Sequence, residues 1–71
     1  MKTHLRRFRF AHGEISQAQL ADQVAVSRQT IIAIERGDYN PSVKLALHLS
    51  RALHATVEDL FELEASDAGH A

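Results

Sequence analysis

The sequence predicts a compact all-α domain of five short helices, and three observations carry that expectation. Apolar residues recur at three- and four-residue spacing along most of the chain, the signature of amphipathic helix. Hydroxyl side chains stand just ahead of four of these stretches, three of them with a polar residue three positions on where a helix start wants one. Gly13, Gly37 and Pro41 punctuate the intervals between them. No period-2 alternation of useful length and no internal repeat competes with this pattern. Aromatic residues are only 6% of the chain, and the aliphatic mix of Leu, Ile, Val and Ala favours helix over strand.

Taken in order, Leu5, Phe8 and His12, with Arg9 beside them, share one face of a first helix, which Gly13 ends by accepting a left-handed backbone. Ser16-Gln17-Ala18-Gln19 reads as a capping box, so a second helix begins at Gln17 and buries Leu20, Ala21 and Val24. Only Ala25 and Val26 are then free before Ser27, the N-cap of a third helix carrying Ile31 and Ile34 and closed by Gly37. Asp38-Tyr39-Asn40-Pro41 is a loop, because a proline disfavours helix at the residue before it. Ser42 caps a fourth helix with a Leu45, Ala46, Leu49 and Leu53 stripe, and Thr56 with Asp59 caps a short fifth helix bearing Leu60 and Phe61.

The chain of 71 residues has room for one domain, expected over residues 1–64, followed by a short polar tail at residues 65–71. It holds no cysteine, so neither a disulfide nor a thiolate metal site can staple so thin a core, and capped helix starts and aliphatic stripes must suffice. The five histidines lack His-x-x-x-His or related ligand spacing, which argues against a metal. With no glycine-rich phosphate loop, no nucleophile and base at matched spacing, and little room for a substrate cavity, neither an enzyme nor a cofactor is expected. The basic start at Lys2 to Arg9 is not followed by the apolar run of a secretory signal, and no apolar run approaches membrane-spanning length, so a soluble, cytoplasmic protein is expected.

The formal net charge of −1 argues at first against an anionic partner, but it conceals an asymmetry. Residues 1–36 hold six Lys and Arg against three Asp and Glu, a net of +3, while residues 37–71 hold two against six, a net of −4. Opposed halves suit an anionic partner on the first half only.

Two helices joined by a turn this short must cross steeply. Ala21 is small where they approach, Val26 points inward from the turn, and Leu20, Val24, Ile31 and Ile34 weld the pair to the remainder. This is a helix-turn-helix unit, whose second helix stands on the surface and fits the DNA major groove. The run from Ser16 to Ile31, continued by Ala33-Ile34-Glu35-Arg36-Gly37, Tyr39-Asn40-Pro41-Ser42, Leu45-Ala46 and Val57-Glu58-Asp59-Leu60-Phe61, resembles the Xre/Cro (lambda-repressor-like) helix-turn-helix transcriptional regulators over roughly residues 3–64. The resemblance is closest to small members without a sensor domain.

It implies a five-helix lambda-repressor-like domain acting on double-stranded DNA, with a recognition helix at about residues 28–36. Arg28 and Gln29 take the positions from which family members read base edges, and their chemistry suits guanine and adenine respectively. Thr30 is placed for a phosphate or a thymine methyl, and Ile32 and Ala33 for apolar contact. Gln17 and Ser27 face backbone phosphates at the two helix starts, and the loop after helix three adds Tyr39, Asn40 and Ser42. The family's pairing of an arginine on helix one with a glutamate on helix three falls on Arg9 and Glu35 and is structural. The sequence departs from the family where it usually has glycine, at Ala25 and His54, and the Gly13 to Ile15 loop is one residue longer than usual.

One such module buries too little surface for useful specificity, so a homodimer on a palindromic operator is expected, acting as a repressor. Leu47, Phe61 and Leu63 exceed the needs of one core, which points to a dimer interface on the fourth and fifth helices; Phe10 packing on Phe61 within one chain is the alternative. A toxin–antitoxin partner is a rival for the second half, weakened by a tail without an apolar anchor. A helix-turn-helix used only for contact with another protein predicts no salt-dependent DNA affinity.

Overall fold

The computed structural model describes residues 1–67. Among them are five α-helices, α1 (Leu5–Ala11), α2 (Gln17–Gln23), α3 (Arg28–Glu35), α4 (Val43–Leu53) and α5 (Val57–Leu60), followed by a single 3₁₀ turn at Ala65–Asp67. Residues 68–71, the end of the expected tail, lie outside the described residues.

Four helix starts are held by the side chains that the sequence offers. Ser16 Oγ accepts the Gln19 N–H at 3.0 Å while Gln19 Oε1 accepts the Ser16 N–H at 2.7 Å. Thr56 and Asp59 repeat this reciprocal arrangement at 3.0 Å in both directions. Ser27 and Ser42 accept from Thr30 N–H at 3.2 Å and Leu45 N–H at 3.1 Å. Each such cap stabilises by about 1 kcal/mol, a substantial share for a chain this small.

The core is aliphatic. Leu5, Leu20, Ile31, Ile34, Leu49 and Leu60 are fully buried, with Ala21, Val24, Leu45, Ala46, Leu53 and Phe61 completing it. Every helix contributes, which is how a short chain without a staple makes one contiguous core.

Two corrections concern the ends of the domain. The fold is all-α except for a two-stranded antiparallel sheet in which β1 (Lys2–Thr3) pairs with β2 (Phe61–Glu62), Lys2 opposite Glu62 and Thr3 opposite Phe61. His4 N–H extends the join by donating to the Leu60 carbonyl at 2.8 Å, and the His4 ring meets Glu62 at 3.0 Å. That hydrogen bond, and then the charge of Lys2, hold the Glu62 carboxyl below its ordinary pKa. Phe61 is consequently a core residue and not a spare one: helix ends at Leu60, the backbone turns extended, and the ring drops inward. Phe10 stays 46% exposed, flanked by the guanidinium groups of Arg6 and Arg9.

Both positions where the sequence replaces the usual glycine are left-handed, Ala25 at φ +59° and His54 at φ +51°. Gly13 and Glu14 follow one another in that same region. A left-handed residue with a Cβ costs about 1–2 kcal/mol, only partly offset by the stiffer unfolded chain. Ala25 is exposed, so its methyl contributes little packing in return. Ala25→Gly is therefore expected to raise stability by about 0.5–1 kcal/mol. Thermal melts should show a gain of a few degrees; an unchanged or lower midpoint would mean that the turn tolerates Ala25 without strain.

Candidate nucleic-acid interface

The turn between α2 and α3 is fixed by local bonds. Val24 N–H donates to the Leu20 carbonyl at 3.1 Å, Ala25 reverses the chain, and Val26 N–H returns to the Ala21 carbonyl at 3.0 Å. Ala21 is buried at this approach and Val26 packs on the core, as the sequence pattern requires. Ser27 then starts α3, its hydroxyl 3.1 Å from the Thr30 hydroxyl as well as capping the Thr30 N–H.

This geometry presents the first turn of α3. Ile31 and Ile34 anchor the helix in the core, so Arg28 and Gln29 are left exposed, with Thr30, Ile32 and Ala33 half-buried along the same helix. Neither Arg28 nor Gln29 has a hydrogen-bond or ion-pair partner among the described residues, so their donors are unspent. Thr30 and Ser27 are partly engaged with each other, and the Ser42 hydroxyl is taken up by its cap.

Two shallow clefts flank the helix-turn-helix. One, of about 390 Å³, brings Tyr39 and Ser42 of the loop beside Val24, Ala25 and Val26 of the turn, with Lys44 and His48 on its far side. Tyr39 is 46% exposed and Asn40 is exposed beside it, so both are free to meet a ligand lying along the turn. Lys44 was not singled out in the sequence; it belongs to the acidic half by position but shares this cleft with the turn and with Tyr39.

The other cleft is built on a buried ion pair. Arg9, only 7% exposed, donates from Nε to Glu35 Oε2 at 2.8 Å and from Nη2 to Glu35 Oε1 at 3.2 Å, and its Nη1 reaches the Ile15 carbonyl at 2.9 Å. Gln17 joins them: its Nε2 donates to Glu35 Oε1 at 3.1 Å. Gln17 therefore braces α2 against α3, leaving its second amide hydrogen for any phosphate. Sequence reasoning missed this brace because the partner lies 18 residues away and no local spacing announces it.

The histidines come together differently from any pairing visible in the sequence: His12 and His54, which follow α1 and α4, lie with ring centroids 4.9 Å apart. Among the described residues no three His, Asp or Glu side chains gather as a metal site would require.

Comparison with known proteins agrees with this geometry. The family model described as Helix-turn-helix matches residues 5–60, most of the chain. An uncharacterised HTH-type transcriptional regulator of Archaeoglobus fulgidus is 46% identical over 61 residues, covering 86% of each chain. Others from Methanocaldococcus jannaschii and Bacillus subtilis are each 45% identical over 64 residues, covering 90% of this chain and 96% of theirs.

Proposed function

Because this chain belongs to the helix-turn-helix family of DNA-binding transcriptional regulators, we propose that it acts as a homodimeric repressor on a palindromic operator, with residues 28–36 in the major groove. The observation that carries this reading is the pair of exposed, unpartnered side chains Arg28 and Gln29 on the first turn of a helix that Ile31 and Ile34 hold rigidly. In this reading Arg28 and Gln29 select bases, Thr30 and Ala33 add closer contacts, and Gln17, Ser27, Tyr39 and Asn40 meet backbone phosphate on either side.

Support for the dimer comes from apolar side chains that the core leaves outside. Val43 is 78%, Leu47 54% and Leu63 74% exposed, and Leu47 sits in a groove with Lys44, His48 and Arg51 on α4. A second copy on the α4 groove would supply the second half-site, and simple occupancy of the operator would repress. No helix among the described residues is long and apolar enough to cross a membrane, which is consistent with work in the cytoplasm. Selection from random duplexes with the purified protein is expected to return inverted repeats whose half-site centres lie about 34 Å apart. Light scattering should give twice the chain mass without DNA. A monomer at high micromolar concentration that selects single half-sites would overturn the dimeric reading and leave the family unaffected.

A further inference from the structure

The cleft between α1, the start of α2 and the end of α3 measures about 350 Å³ and is lined by Arg6, Arg9, Gln17, Ile32, Glu35 and Arg36. It holds three guanidinium groups and one carboxylate, and the carboxylate is already committed. Both Glu35 oxygens accept from Arg9, and one also accepts from Gln17. The positive charge left over belongs to Arg6 and Arg36, and both are exposed. Among the described residues Arg36 meets only Asp38, at 3.5 Å, with the two side chains 72% and 65% exposed, a contact too solvated to hold it against a stronger anion. Arg6 rests its guanidinium 5.4 Å from the Phe10 ring centroid, a position that leaves its N–H groups open to an anion.

We infer that Arg6 and Arg36 close on the DNA backbone as a two-arginine phosphate clamp beside the major groove that α3 enters. This rests on the DNA reading above and adds α1 to the contact surface. The occupant is a phosphodiester because the cleft runs alongside the half-buried Ile32 of the recognition helix, so a strand lying past that helix brings its phosphates to the mouth. Planar guanidinium forks match phosphate oxygens in pairs, and arginine suits this role better than lysine. Arg7 provides an internal contrast. It stands on the same helix with the same charge and a similar rest on a ring, over Phe8, but it is not among the residues lining this cleft.

The test is the salt dependence of affinity for a selected duplex, followed by fluorescence anisotropy. Each phosphate contact contributes about 0.9 to the slope of log affinity against log salt. Arg6→Ala and Arg36→Ala are each expected to flatten that slope by about 0.9 per bound chain, and the double variant by about 1.8 per bound chain, without changing which bases are preferred. Arg7→Ala should leave the slope in place, and Arg6→Lys with Arg36→Lys should restore most of it. Thermal melts verify that each variant is folded. An unchanged slope in the folded double variant overturns the clamp, as does an equal flattening by Arg7→Ala, which would mean a general basic surface. If the unaltered protein shows no salt-dependent affinity for any duplex, the DNA reading itself falls and takes the clamp with it.

Discussion

Replacing Arg28 and Gln29 together with alanine is expected to abolish sequence preference while leaving the fold intact. Each bidentate contact with a base edge discriminates by about 1–3 kcal/mol, so losing two costs about 2–6 kcal/mol, or roughly 30-fold to 10⁴-fold in preference, at each half-site. That spans much of the margin by which such proteins favour their sites over random DNA. Folding should not suffer. Both side chains are exposed, and the start of α3 is capped through Ser27 and Thr30, which the substitutions leave alone. Competition between selected and scrambled duplexes measures the loss, and thermal melts confirm the fold. Retention of the same preferred duplexes by the double variant would show that another surface reads the sequence.

The second large effect lies in the Arg9–Glu35 pair. Among the described residues, Glu35→Ala leaves a buried guanidinium with the Ile15 carbonyl as its one hydrogen-bond partner, beside the Phe10 ring, and Arg9→Ala leaves a carboxylate held by Gln17. Removing one partner of a buried pair costs about 3–5 kcal/mol. A domain of this length has a total stability of only about 4–11 kcal/mol, so either variant should lose a large share of it and melt at a markedly lower temperature. The physics also predicts an asymmetry. Arg9→Met combined with Glu35→Leu removes both charges together, and it should be markedly more stable than either alanine variant, because the desolvation cost of both ions disappears with their attraction. Urea titrations of the three variants decide this. Alanine variants within about 1 kcal/mol of the parent would place the pair among weak surface contacts, contrary to its burial.

Much of this architecture was legible in the sequence because it is local. Ser16, Ser27, Ser42 and Thr56 announce helix starts through partners three residues away, and all four caps are made as written. The buried stripes of α2, α3 and α4 follow from spacing, and the left-handed bends at Ala25 and His54 were signalled by the family resemblance, which usually has glycine at both. The remainder depends on pairings between distant segments. Two-residue strands have no periodicity to read, so β1 and β2 were invisible, and with them the inward turn of Phe61. Of the candidate interface, the exposed start of α3 was readable from the stripe that faces the other way. The bracing of Glu35 by Gln17, the gathering of Arg6 and Arg36 at one cleft and the approach of Lys44 to Tyr39 were not, since each joins segments separated by many residues. The count of charges by halves is likewise blind to such pairings: Lys44, counted with the acidic half, lines the cleft beside the turn, while Glu58, Asp59, Glu62 and Glu64 are exposed later in the chain.

Backbone amide shifts recorded as a selected duplex is added test the central claim, that the start of α3 reads DNA, most directly. Perturbation is expected at residues 27–33, at Gln17, Tyr39 and Asn40, and at Arg6 and Arg36, with Glu58, Asp59 and Glu64 little changed. Shifts concentrated on α4 and α5, with Arg28 and Gln29 silent, would contradict it.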